Sequence, residues 1–196
     1  MHIEEAFVIE DVEVAREIVR AHPFATIVTA GLHATHMPCL VDEAAPGLAV
    51  LGHVARADPV AERLGEPVLM IFHGPHGYVS ASWYGSDTIP TWNHVTLHLR
   101  GTPELLDDAM PVLRRTVDRF EAAVERPWSL DRMGSQADEM AARVVAFRLA
   151  PVSWHVEAKL SQDKPADERA RVLAGLERAG PYANAPLAEA LRRLTA

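Results

Sequence analysis

Between residues 24 and 54, three stretches suited to strands are joined by turns too short to hold a crossover helix. Phe24–Val28 is rich in β-branched residues, Gly31 marks a turn, and His33–Val41 reads as the return strand. Ala44-Ala45-Pro46-Gly47 marks a second turn before a strand over Leu48–Val54. Parallel neighbours need connections of a dozen or more residues, so these strands must run antiparallel. A parallel βαβ sheet is therefore disfavoured from the start.

The rest of the chain decorates that core. Asp11 can cap a helix whose apolar positions Val12, Ala15, Ile18 and Val19 share one face, and Pro23 stops it. A short helix is expected over Ala57–Leu64, entered through Asp58-Pro59, and a buried strand over Val68–Phe72. Residues 74–92 carry Gly74, Pro75, Gly77, Gly85 and Pro90 and read as an irregular, aromatic-rich loop. His94–Thr102 alternates, with Val95, Leu97 and Leu99 on one face. A long helix is expected over Asp107–Val124, with a stripe of Met110, Leu113, Val117, Phe120 and Val124. A short helix near Ser135–Ala142, strands over Val144–Leu149 and Val152–Ala158, and helices over Asp167–Leu176 and Pro186–Leu194 complete the chain. The pattern is mainly β with helices, an α+β class, and suggests a small β-barrel with helical decoration. It predicts one domain over 1–196, with the barrel over about 1–160 and a helical tail over about 163–196.

Composition removes several functions. No apolar run approaches the ~20 residues that span a bilayer, and Met1-His2-Ile3-Glu4-Glu5 lacks the basic region and apolar core of a secretory leader. The single cysteine, Cys39, allows no internal disulfide and reads as a small buried hydrophobe. A cytoplasmic location is expected. The net charge of −8 comes from 27 acidic and 19 basic residues. The densest basic spots, Arg114-Arg115 and Arg192-Arg193, sit among acids, so nothing supports binding to a phosphate backbone.

The common catalytic loops are missing as well. There is no G-x-G-x-x-G, no phosphate-cradling loop ending in G-K-[ST], and no G-x-S-x-G elbow. Among ten histidines, His94 and His98 have helical metal spacing but fall in a strand, where four residues separate them by roughly 13 Å. Ligands of one zinc must lie within ~2.1 Å of it, so this pair shares no metal. His73 and His76 flank a turn without a third ligand nearby, and no metal site is expected.

Four stretches instead concentrate polar rings and amides: 34–38, 52–59, 73–92 and 159–162. Tyr78, Trp83, Tyr84 and Trp92 fall within fifteen residues. Rings offer apolar walls, amides can fix a heterocycle edge, and a guanidinium can clamp a phosphate, which together suit a planar anionic cofactor. The same aromatics would equally serve a loop packed on the barrel.

The segments Ala34-Thr-His-Met-Pro38, Gly52-His-Val-Ala-Arg-Ala-Asp-Pro59, Phe72-His-Gly-Pro-His-Gly-Tyr-Val-Ser80, Ser82-Trp-Tyr84, Pro90-Thr-Trp-Asn93 and Lys159-Leu-Ser-Gln162 resemble, in order, those of the PaiB family, described as FMN-binding negative transcriptional regulators. The resemblance implies an FMN-binding split β-barrel, like pyridoxamine-phosphate oxidase, that forms a homodimer with FMN at its interface. It implies Arg56 as phosphate ligand with His53 assisting, and Trp92 and Asn93 opening the strand beside the flavin ring. Lys159, Ser161 and Gln162 would form a donor-rich loop, with Tyr78, Ser80, Trp83 and Tyr84 lining the pocket. The chain departs from the family pattern at Val54, Asp58, His94 and Asp163, in place of Met, Asn, Tyr and Asn. Asp58 and Asp163 would weaken phosphate binding unless they are paired or point away.

The resemblance implies three alternative functions. A regulator would act on transcription indirectly, since the charge argues against DNA contact. An FMN-dependent oxidoreductase would take electrons from NADH or NADPH for a small substrate, with His94, His98 or Tyr84 available as acid or base. A haem binder is the third, since haem-handling proteins share this barrel.

Overall fold

The computed structural model describes residues 5–195; residues 1–4, part of the stretch read for a leader, lie outside them. In chain order the elements are β1 (Val8–Ile9), α1 (Val12–Ala21), β2 (Phe24–Thr29), β3 (Ala34–Pro38), β4 (Leu40–Val41), β5 (Val50–Ala55), β6 (Val68–Val79), β7 (Thr91–Gly101), β8 (Glu104–Leu106), α2 (Met110–Glu121), α3 (Gln136–Ala141), β9 (Val144–Leu149), β10 (Ser153–Lys159), α4 (Ala166–Glu177) and α5 (Ala185–Thr195). Single 3-10 turns lie at Glu5–Phe7, Ala61–Arg63, Ala81–Trp83 and Leu130–Met133. No helix among the described residues is long and apolar enough to cross a membrane.

The chain divides into two compact units, each assembled from separate stretches. The first takes the N-terminal stretch up to Asp11, His73–Leu97, and the chain from His155 onward. Its strands follow the order β1-β10-β7-β6, with β1 antiparallel to β10 so that Val8 faces Glu157 and Ile9 faces Val156. Helices α4 and α5 pack together and bury Val172, Leu176, Leu187 and Leu191. Asn184 ties this layer together: its Oδ1 accepts the Leu187 N–H at 3.1 Å, capping α5, and its Nδ2 donates to the His76 carbonyl at 2.9 Å.

The second unit comprises Val12–Phe72 and His98–Trp154. Here β2 pairs antiparallel with both β3 and the first part of β6, and a four-stranded antiparallel sheet runs β4-β5-β9-β8. The amphipathic face of α1 buries Ala15, Ile18 and Val19, as its spacing predicts. Leu51, Ala109, Val112 and Ala146 form a packed cluster beneath α2. Gly52 of β5 admits the Phe147 ring; a Cβ there would stand 2.6 Å from Phe147 Cζ and 3.0 Å from Cys39 Sγ. Cys39 is fully buried, and burial pushes its thiol up to about 12, so it is an inert core residue.

The expected strands over Val144–Leu149 and across Val95, Leu97 and Leu99 are present, while four segments differ. The stretch 73–79 continues β6 instead of forming a loop. The register of β2 on β6 ends at Phe72, so beyond it β6 loses that neighbour, a setting in which Pro75 is tolerated. The expected helix over Ala57–Leu64 shrinks to the 3-10 turn, because Gly65 follows before a helical nucleus is repaid. The return strand of the hairpin breaks at Cys39, whose N–H instead bonds to the Pro23 carbonyl at 2.8 Å. Helix α2 starts at Met110, where Asp108 Oδ1 accepts the Met110 N–H at 2.8 Å and Pro111 fits the first turn. Its buried residue is Val112; the expected stripe is half-buried at Leu113 and Val117 and exposed at Phe120 and Val124.

One buried carboxylate in this unit makes folding sensitive to acid. Asp42 Oδ2 accepts from Arg148 Nε at 2.7 Å, and Oδ1 accepts the Ala44 N–H at 3.2 Å. The Arg148 hydrogen bond holds the Asp42 carboxyl below the usual carboxylate range. Folding therefore favours the ionised form. The stabilisation is complete above the unfolded value near ~4 and disappears as pH falls through the lowered folded value. Asp42→Asn is expected to cost about 1–2 kcal/mol at neutral pH. Urea denaturation from pH 7 down to 3 should show the difference from wild type shrinking with acid.

Candidate functional site

The residues expected to contact a cofactor fall into three groups. The first lies where β7 begins and β10 ends, in the first unit. Asn93 alternates inward on β7 and is completely buried. Its Nδ2 donates to Ser161 Oγ at 2.9 Å, while its Oδ1 has no partner. Ser161 is itself buried and has φ 61°, a left-handed backbone that a non-glycine residue adopts only at a cost. That strain places the Ser161 hydroxyl on Asn93. Lys159, at the end of β10, donates from Nζ to Thr91 Oγ1 at 2.9 Å and sits 6.0 Å from the Phe7 ring centre. Two of its three N–H donors remain for another acceptor.

Gln162 has a different task. Its Oε1 accepts the Leu160 N–H at 2.7 Å, and its Nε2 donates to the carbonyls of Ala158 at 2.5 Å and Ala6 at 3.2 Å. Both ends of the amide thus staple the loop that carries Ser161, making Gln162 a positioning residue.

Aromatic rings extend the same group. Trp92 is 51% exposed. It stacks on His76 at 6.0 Å, donates from Nε1 to His76 Nδ1 at 3.3 Å, and meets Tyr78 edge-on at 6.5 Å. Tyr78 in turn lies 4.9 Å from Tyr182. Beside Asn93, His94 Nε2 is 3.6 Å from Glu157 Oε1, and Glu157 is buried with Oε2 unpartnered. Such a pair can hold or pass a proton.

The second group is local to residues 80–84. Ser80 Oγ accepts the Ser82 N–H at 3.2 Å and shares a hydrogen with Ser82 Oγ at 2.8 Å, so it caps the 3-10 turn. Trp83 lies on α4 at Gly175, where an added Cβ would stand 2.3 Å from Trp83 Cδ2. Tyr84 joins Trp83 on a cavity of about 300 Å³ shared with Arg171 and Arg178.

The third group belongs to the second unit. His53 lies on β5 opposite Ala146, with its Nδ1 buried and unpartnered. Burial lowers its imidazole below the ordinary value, favouring the neutral ring. Arg56 is exposed; its Nε donates to the Ala142 carbonyl and its Nη2 to the Val144 carbonyl, both at 3.0 Å. These bonds pin the guanidinium beside a cavity of about 370 Å³ and leave three of its five N–H donors available. Of the two acidic departures, Asp58 is hydrogen-bonded to neutral donors and Asp163 is ion-paired. Asp58 Oδ2 accepts from Thr35 Oγ1 at 2.6 Å and Oδ1 accepts the Val60 N–H at 2.8 Å. Asp163 Oδ2 lies 2.9 Å from Lys164 Nζ.

Sequence reading missed Glu157, Thr91, Tyr182, Arg171 of α4 and Arg178 just beyond it. A buried glutamate in a strand and a tyrosine between two helices carry no local signal. Thr91 lies one residue from Trp92 within a quoted motif, which was the available hint.

The antiparallel α+β arrangement, with one helix before β2 and four after β8, is that of the flavin-binding split barrels. The chain belongs to the family described as "Putative FMN-binding domain", whose model matches residues 1–151. It is similar to protease synthase and sporulation protein PAI 2 of Bacillus subtilis (strain 168), at 27% identity over 185 residues, covering 90% of this chain and 89% of the relative. The PaiB resemblance drawn from six short segments is thereby borne out. Among solved structures, the flavocytochrome Anf3 of Azotobacter vinelandii matches with TM-score 0.59 and 17% identity, covering 86% of this chain and 78% of that one. The FAD and heme binding protein of Mycobacterium smegmatis matches with TM-score 0.55 and 19% identity, covering 83% and 78%. These two likenesses establish the fold.

Proposed function

We propose that this chain binds FMN through the group at the start of β7 and the end of β10. The observation that carries the reading is the Asn93 amide, completely buried with an acceptor left unanswered beside a strained Ser161. A buried acceptor without a donor costs about 1–3 kcal/mol, so such groups mark a place where a partner is expected. FMN suits this donor set: its ring has an imide N–H and carbonyl acceptors, its ribityl chain carries hydroxyls, and its phosphate is anionic. Asn93 would fix the ring or chain by accepting from it, Lys159 would supply positive charge, and Trp92 with Tyr78 would provide apolar walls. When bound, FMN supplies one- and two-electron redox chemistry. The chain's own contribution is orientation and exclusion of water, with His94 and Glu157 standing beside Asn93.

From the PaiB resemblance alone we further propose Arg56, assisted by His53, as a phosphate contact; the structure describes these two residues within the second unit only. Asp163 is offset by Lys164, whereas Asp58 is hydrogen-bonded to neutral donors and keeps its negative charge. Arg56→Ala is expected to weaken FMN affinity about tenfold by loss of a charge-assisted contact, read by flavin fluorescence titration; unchanged affinity would remove that role.

The protein is proposed to act as a cytoplasmic homodimer. Support comes from apolar side chains such as Phe24, Ile89 and Trp92, which stand more than half exposed on the single chain. A molar mass near that of one chain in light scattering at working concentrations would contradict this. As in the PaiB description, its role is taken to be negative regulation of transcription, exerted without direct DNA contact because the chain carries −8 charges. Rapid reduction of the bound flavin by NADH or NADPH would instead favour an oxidoreductase. A Soret band after haem addition, lost on changing one histidine, would favour haem binding.

A further inference from the structure

The cavity on α4 has a composition that the flavin reading does not use. It is lined by Arg171 and Ala174 of α4 and by Arg178, which caps the C-terminus of that helix with an extended backbone. Arg178 follows Arg171 by seven residues and lies just beyond the last residue of α4, and both side chains border the same cavity. Trp83, Tyr84 and Ser82 form the facing wall. Among the described residues neither guanidinium has an ion pair or side-chain hydrogen bond.

The neighbouring carboxylates are committed elsewhere. Glu168, one turn before Arg171, accepts the Gly85 N–H at 2.9 and 3.1 Å and the Ser86 hydroxyl at 3.3 Å. Glu177, adjacent to Arg178, is paired with Arg192. Among the described residues, Arg171 and Arg178 border one cavity with no carboxylate within ion-pair distance of either, although the Glu168 carboxylate lies on Gly85 beside Arg171. Ala174 is the small residue between them on the cavity lining, and the aromatic wall offers a flat apolar surface.

We propose that this cavity is a second ligand site, taking a small molecule that carries a phosphate group and a planar ring. The phosphate lies between Arg171 and Arg178 with Ser82 within reach, and the ring lies against Tyr84 and Trp83. A volume of about 300 Å³ admits a mononucleotide-sized ligand or smaller. The site is independent of the flavin group.

The test is calorimetric titration of the full chain with phenyl phosphate, inorganic phosphate and benzoate, in the wild type and in the double variant Arg171→Gln/Arg178→Gln. Both arginines are exposed, so the variant should melt like the wild type. Phenyl phosphate is expected to bind one per chain at about millimolar affinity or better. Inorganic phosphate and benzoate should each be weaker by about fivefold or more, and the double variant should weaken phenyl phosphate at least ~tenfold. FMN titrated in parallel should bind both proteins equally. Absence of phenyl phosphate binding up to about 10 mM, or equal binding by the variant, overturns the site. Benzoate as tight as phenyl phosphate overturns the phosphate assignment, and inorganic phosphate as tight overturns the ring. An equal loss of FMN and phenyl phosphate affinity in the variant overturns the independence of the two sites. Failure of the wild type to bind FMN while phenyl phosphate still binds would sink the flavin reading alone.

Discussion

Phe147→Ala is expected to cost about 3–5 kcal/mol of stability, the usual range for removing a fully buried phenyl ring. The ring has no exposed surface, and its Cζ lies over Gly52, the strand partner of Phe147 across β5 and β9. Glycine cannot fill the space that the ring leaves, so the cavity has little chance to collapse. The reverse change is unfavourable too: Gly52→Ala puts a Cβ 2.6 Å from Phe147 Cζ and should cost about 1–3 kcal/mol. The two changes are predicted to be coupled, since removing the ring relieves the two ring contacts and leaves only the 3.0 Å approach to Cys39 Sγ. Gly52→Ala made in the Phe147→Ala background should cost less than it does in the wild type. A double-mutant cycle by urea denaturation measures this, and additive effects would mean that the two residues do not share one packing site.

Asn93→Ala is expected to weaken FMN binding by about ten- to a hundredfold, corresponding to one buried hydrogen bond to a ligand. The same substitution deprives the Ser161 hydroxyl of the Asn93 donor, so a change in stability alone would not identify a ligand contact. Asn93→Asp separates the roles, because it keeps an acceptor while losing the N–H donated to Ser161. If Oδ1 answers a flavin donor, Asp retains more FMN affinity than Ala does. If Asn93 serves only to hold the loop, both variants fall equally in affinity and in melting temperature.

Much of the fold was legible because local pattern and tertiary environment agree. The short turns after β2 and β4 enforce antiparallel pairing, and the alternation of Val95, Leu97 and Leu99 matches their burial. The errors share a physical origin. Gly74, Pro75 and Gly77 signal a break when read locally, yet β6 runs to Val79. Phe120 and Val124 continue the apolar spacing of α2, but the helix ends at Glu121, whose Oε2 accepts the Trp128 N–H at 2.7 Å. Periodicity describes which face could be buried, not how far a neighbouring element extends beneath it.

The site was legible in part for a similar reason. Short motifs named Trp92, Asn93, Lys159 and Ser161, and these residues lie in one unit with Asn93 bonded to Ser161. The same motifs gave Gln162 and Ser80 as cofactor contacts, whereas their polar atoms are occupied by nearby backbone or hydroxyl groups. Side-chain type reveals hydrogen-bonding capacity; only the three-dimensional arrangement reveals which capacity is already used. Glu157 makes the same point from the other side, since nothing in its surrounding sequence announces that it is buried.

The central claim is that this chain holds FMN. The most direct measurement is the visible absorption spectrum of the protein as purified, followed by titration of any unloaded protein with FMN. Flavin bands that stay with the protein through gel filtration, release FMN on denaturation and weaken in Asn93→Ala are the predicted result. A colourless protein that also fails to bind added FMN would contradict the claim and leave a split barrel without its flavin.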